Sequence, residues 1–192
     1  MPPRRPKGAI RATTKALKLD PNRADLLNDR GLARAAAGDP LGALSDYAAA
    51  LKVDPGFWPA HANRGTLLAQ RGEHGGAIFE FSLGLRANPR SAQLYRLRAE
   101  SLGRVMDYDG ALRDFTKAVR LDPKMGDAWF GRGCTHRVLA TLADRPSLRR
   151  LQSARADLRK ARTLATPRSE YLDELPRLLR EVEAELRRER SK

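Results

Sequence analysis

One cysteine, Cys134, stands alone in 192 residues, so no disulfide can form within the chain. A lone thiol fits a reducing, cytoplasmic setting. Histidine is nearly as scarce: His61, His74 and His136 are the full set. None pairs at i,i+4 with another His or Cys, and Cys134 and His136, two apart, point to different helix faces. No metal site and no cofactor is expected. Aromatics are only 6% of the chain, too few for the stacking platforms of single-strand nucleic-acid binders. No run of about 18 apolar residues exists, so no segment reads as a membrane span. The basic start from Met1 to Lys7 is not followed by an apolar stretch, so no signal peptide is read there. Glycine-serine nucleophile motifs, phosphate loops and dinucleotide fingerprints are missing too. The carboxylates lie mostly in ladders and caps, and no catalytic constellation emerges, so the chain is not expected to be an enzyme.

Alanine, leucine and arginine dominate what is present, a mix that favours helix over sheet. Hydrophobic residues at 41% suffice for a core. The net charge is +14. Its excess lies at the ends. Residues 1–23 carry seven Lys or Arg against one Asp, and residues 144–192 carry fourteen against nine acids. A basic end suits nucleic acid, an anionic surface or an acidic protein, or is simply solvated.

The strongest signal is self-similarity at a spacing of 34. Ala24, Trp58, Ala92 and Gly126 open successive units. Small residues recur at Gly31, Gly65, Ala99 and Gly133. Ala43, Ala77 and Ala111 follow, then Tyr47, Phe81 and Phe115, then Ala50, Gly84 and Ala118. The units close on Val53-Asp54-Pro55, Ala87-Asn88-Pro89 and Leu121-Asp122-Pro123. Small residues let two helices approach to about 8–10 Å, and the aromatic fills the groove beside them. Gly38 and Gly72 suit a left-handed helix end, and Asp39-Pro40 a cap with a first-turn proline. The closing prolines stop each second helix.

This pattern resembles the tetratricopeptide repeat family over nearly the whole chain. A bacterial-type Arg-Gly pair recurs in the first helix at Arg30-Gly31, Arg64-Gly65 and Arg132-Gly133, with Arg98-Ala99 as a variant. Met106 departs from the pattern at the turn glycine, and Gly84 at the usual alanine. The resemblance implies an all-α, right-handed superhelical solenoid of antiparallel helix hairpins with a C-terminal capping helix. The expected organisation is a basic tail (1–7), a leading half-repeat helix (8–23), three repeats (24–57, 58–91, 92–125), an extended fourth (126–167) and the capping helix (168–192). The fourth is stretched because Ala154 lies nine residues later than the period places it, about two and a half helical turns. Its first helix is expected to reach about Leu142, with the turn at Asp144-Arg145-Pro146 and Ser147 opening the second. In the last segment Leu172, Leu175, Leu179, Val182 and Leu186 form an apolar stripe, and Pro176 kinks or restarts the helix.

Arg30, Arg64, Arg98 and Arg132 form a ladder at the repeat period, matched by Asp46, Glu80, Asp114 and Asp157 on the second helices. Bidentate pairing is the expected use of both rows. The resemblance places the concave face on the first helices. It would be lined by Asn28, Leu32, Ala35 and Ala36, by Ala62, Thr66, Ala69 and Gln70, by Arg96, Glu100, Gly103 and Arg104, and by Phe130, Cys134, Arg137 and Val138. The expected occupant is an acidic or amphipathic segment of a partner protein, its acids facing Arg96, Arg104 and Arg137. Alternatives are the chain's own terminal helix in the groove, a nucleic-acid-associated repeat protein using its basic ends, or a regulatory fragment of a larger protein. A clamp for chaperone C-termini, known in the family, does not fit. Asn63 matches one clamp position, but Asn28, Leu32, Gln93 and Leu97 stand where the others belong.

Overall fold

The computed structural model describes residues 6–142, 147–167 and 169–191. Ten helices run through them and no strand appears among the described residues. The tail residues 1–5 and the turn expected at Asp144-Arg145-Pro146 lie outside the described residues. The chain divides into two compact units, residues 1–89 and 90–192.

The first unit holds α1 (Pro6–Leu19), α2 (Ala24–Ala36), α3 (Pro40–Val53), α4 (Trp58–Gln70) and α5 (His74–Ala87). Helix α1 packs on α2, α2 on α3, α3 on α4 and α4 on α5, and the first helices α2 and α4 lie side by side. The small-residue landmarks explain the close approach. A Cβ on Gly31 would stand 2.6 Å from the ring of Tyr47, and one on Gly65 2.6 Å from the ring of Phe81. Both rings are buried. His74 is the first residue of α5, just after the turn that holds Gly72.

The second unit holds α6 (Ala92–Arg104), α7 (Tyr108–Leu121), α8 (Gly126–Thr141), α9 (Leu148–Leu164) and α10 (Leu175–Arg190). Consecutive helices pack on one another, with α6 beside α8. Here Ala99 occupies the position of Gly31 and Gly65. The Phe115 ring, in one buried cluster with Ala99, also lies over Gly131, one hairpin on, where a Cβ would meet its Cζ at 2.3 Å. Helices α8 and α9 have 16 and 17 residues, against 13 and 14 in the hairpin before. Ser147 caps α9 by accepting from the Arg150 amide. The last helix starts at Leu175 with Pro176 in its first turn, where a missing amide costs nothing. Most of the residues before it form turns.

Three hairpin turns close alike. The amide of Asp39 donates to Arg34 O, that of Glu73 to Leu68 O and that of Asp107 to Leu102 O, each at 2.9 Å. This closure needs a left-handed residue just before the donor. Gly38 and Gly72 supply it at φ 81° and 80°, and Met106 adopts it at φ 63° with its side chain mostly in solvent. A left-handed L-residue costs roughly 1–2 kcal/mol, and glycine gives part of that back through unfolded-state entropy. Met106→Gly is therefore expected to raise stability by about 0.5–1 kcal/mol, read as a higher urea midpoint.

Candidate functional site

The charge ladder organises the inside of each hairpin. Arg30 donates through Nε (2.9 Å) and Nη2 (2.6 Å) to Asp46, and Arg34 adds a second cation at 2.9 Å. Arg64 reaches Glu80 at 2.7 Å, and His61 Nδ1 lies 2.9 Å from the same carboxylate. Arg98 grips Asp114 at 2.6 and 2.9 Å, and Arg132 grips Asp157 at 2.7 Å through both nitrogens. All four carboxylates are buried. These arginines are held inside the hairpins by the buried carboxylates. Arg98 and Arg132 also lie over the rings of Tyr95 and Trp129.

The first-helix faces differ between the units. On the α2–α4 face Asn28 is buried, its Oδ1 accepting from Asn63 Nδ2 at 2.7 Å. Leu32 remains 44% exposed. Ala62 and Thr66 are half-buried, and Thr66 spends its hydroxyl on the Ala62 carbonyl at 2.8 Å. Gln70 and Ala36 are exposed. Short, mildly apolar side chains thus line this face.

The second unit's face is already paired. Arg96 donates to Glu100 one turn on and contacts Gln93 at 3.4 Å. Crowding raises the Glu100 carboxyl pKa, Arg96 opposes the shift, and Asp127 and Glu170 push the same way as burial. Phe130 stacks on Tyr171, ring centroids 4.7 Å apart and planes 14° from parallel. The Tyr171 hydroxyl donates to Ala161 O at 3.1 Å and fits over Gly126, where a Cβ would stand 2.3 Å away. Arg137 pairs with Glu181 at 2.9 Å and Glu185 at 3.1 Å, both from α10. The basic end expected from Arg96, Arg104 and Arg137 is therefore largely neutralised from within the chain. Of the three, Arg104 alone has no ion pair among the described residues.

Sequence reasoning missed Tyr171 as the cover of Phe130 and missed the acids that meet Arg137. The Glu181–Glu185 spacing of one helical turn was the available signal. His61 is buried, and its Glu80 partner shows why burial there is tolerated. His136 is half-buried, and burial depresses its pKa, with Arg132 and Arg150 adding to the effect and Asp157 opposing it.

Cys134 packs beside the cluster of Leu151, Leu158, Leu175 and Leu179. Burial pushes its thiol pKa up to about 12, with Glu174 pushing the same way. At pH 8 thiolate is then scarce. Labelling of the native chain by Ellman's reagent is expected to run at least roughly a hundredfold slower than in urea, where the ordinary thiol value near 8.5 returns.

Tetratricopeptide repeat models match residues 34–100 and 96–169. The search of curated proteins finds no match. Among solved structures, the crystal structure of MamA is 21% identical over 83% of this chain and 88% of its own, with a TM-score of 0.71. MamA 41-end from Desulfovibrio magneticus RS-1 is 21% identical over 83% and 85%, with a TM-score of 0.70. The likeness to these structures is one of fold. No described helix is long and apolar enough to cross a membrane. Hairpin order, the buried ladder and the two matching models agree that the chain belongs to the tetratricopeptide repeat family.

Proposed function

We propose that the chain holds an amphipathic helix or extended peptide of another protein, with the α2–α4 face as its apolar seat. At the coarse level it is a protein-interaction scaffold, as its family membership implies. The observation that carries the finer reading is the contrast between the two first-helix faces. The α6–α8 face has Arg96 and Arg137 matched by Glu100, Glu181 and Glu185 and its aromatic covered by Tyr171. The α2–α4 face keeps Leu32 exposed among alanines, over a floor fixed by the Asn63–Asn28 bond. Small side chains on first helices leave room for a guest, and a leucine among them supplies an anchor. An amphipathic guest fits better than a strongly acidic one, since few free cations remain on the first-helix faces to meet acids.

The test uses a phage-displayed library of random 16-residue peptides selected on the full chain. Peptides with apolar residues at helical spacing are expected. They should lose at least tenfold in affinity on Leu32→Glu and keep it on Phe79→Glu, a substitution at an exposed second-helix position. Equal binding to both variants would remove the α2–α4 face from the proposal.

A further inference from the structure

Helix α9 carries more cations than the second helix of any other full hairpin. It carries Arg149, Arg150, Arg155, Arg159, Lys160 and Arg162 against a single acid, Asp157. That acid is buried and committed to Arg132. By comparison α3 has one basic residue, Lys52, and α5 has one, Arg86. Helix α7 has three, with Asp109 among them on the surface. Among the full hairpins the stretched one alone has this excess, while the leading helix α1 carries four cations, Lys7, Arg11, Lys15 and Lys18.

Packing directs them outward. Leu151, Ala154, Leu158 and Ala161 are fully buried in the unit's core, which leaves Arg149, Arg159, Lys160 and Arg162 exposed and Arg155 half-exposed at the flank. Arg159 leans on Glu183 of α10 at 2.8 Å. Arg149, Arg155, Lys160 and Arg162 have no ion pair among the described residues. From Arg149 to Arg162 the helix rises about 20 Å.

We propose that the outer face of α9 is a docking surface for the phosphate backbone of a duplex nucleic acid. A protein partner needs apolar or aromatic anchors at the centre of its interface. The exposed residues between Arg149 and Arg162 offer one alanine, Ala156, and otherwise polar or charged groups such as Gln152. A membrane surface would take apolar side chains from the same helix, and those of α9 are locked in the core. Phosphate contact needs only cations and hydrogen-bond donors, and guanidinium matches phosphate geometry well. A duplex presents about a dozen phosphate charges over 20 Å, enough for all four cations. No aromatic stands on this face to stack an unpaired base, which favours a duplex over a single strand.

The experiment is fluorescence anisotropy of labelled 24-base-pair DNA and RNA duplexes with the full chain, titrated between 50 and 200 mM salt. With four phosphate contacts the log–log slope should be about −3.6, an affinity loss of about 150-fold over that range. Arg149→Gln/Arg155→Gln/Lys160→Gln/Arg162→Gln should abolish the salt-sensitive binding while circular dichroism shows the same helix content. Arg149→Lys/Arg155→Lys/Arg162→Lys should keep the slope. Arg11→Gln/Lys15→Gln/Lys18→Gln, on the exposed side of α1, should stay within about twofold of the wild type. Preference for either duplex names the source and supports the surface. The proposal is overturned by no binding at 50 mM salt, or by equal losses in the α1 and α9 variants. Loss of binding in the lysine variant overturns it too, as does capture of phosphatidylserine vesicles or polyglutamate as tight as that of either duplex.

Discussion

Arg132→Ala is expected to destabilise the chain by about 3 kcal/mol and to lower its melting temperature by about 8 °C. Asp157 is 5% exposed and receives both its hydrogen bonds at 2.7 Å from this one guanidinium. Removing the arginine strands a carboxylate among Ala154, Leu158 and Ala161. Breaking a buried pair from one side costs about 3–5 kcal/mol, and water reaching the partly exposed Arg132 position places this case at the low end. The double replacement Arg132→Met/Asp157→Leu should recover most of the loss, because no charge is then left uncompensated. Arg30→Ala should cost less, since Arg34 remains 2.9 Å from Asp46. Urea unfolding followed by far-ultraviolet circular dichroism measures all three. A change below about 0.5 kcal/mol in Arg132→Ala would mean that the ladder contributes little to folding.

Gly65→Val should cost about as much for a steric reason. Its Cβ would sit 2.6 Å from Phe81 Cε1 and 2.9 Å from Cδ1, against a ring with no exposed surface. The helix propensity recovered on leaving glycine is at most about 1 kcal/mol, and overpacking by several atoms costs about 1–3 kcal/mol or more. Valine also brings a stiff χ1 that cannot turn away. A net loss of about 2–3 kcal/mol is expected in thermal unfolding. Gly65→Ala/Phe81→Leu should restore much of it by shrinking the ring site. If Gly65→Val melts with the wild type, α4 and α5 are not packed as closely as described.

These positions were readable because repetition converts a single sequence into several observations of one geometry. Gly31 and Gly65 share a spacing with Tyr47 and Phe81, and only close helix approach explains all four. The ladder was readable for the same reason. The site was less so. Arg96 and Glu100 sit one helical turn apart, which already signals mutual pairing, yet both lie on the face where a guest was expected. Tyr171 and α10 fall outside the period, and their contacts with Phe130 and Arg137 depend on how the chain returns after α9. No local pattern encodes that return. Met106 shows the opposite limit. The period marks it as a departure from glycine, and its backbone nonetheless takes the glycine conformation, since the closing bond from Asp107 to Leu102 leaves no other path.

Phe115 has a consequence for how such an array can grow or be rebuilt. Its ring, clustered with Ala99 of its own hairpin, also uses the space left by Gly131 of the following one, while Tyr47 and Phe81 lie over glycines within their own. The fourth hairpin therefore supplies part of the third one's interior. Transplanting the α6–α7 segment elsewhere would leave its phenylalanine without a slot, unless the recipient neighbour also had a glycine two positions before the usual small residue. A duplication that copied α6 to α9 together would keep the Phe115 ring housed, and carrying the chain on through Tyr171 would keep Phe130 covered as well.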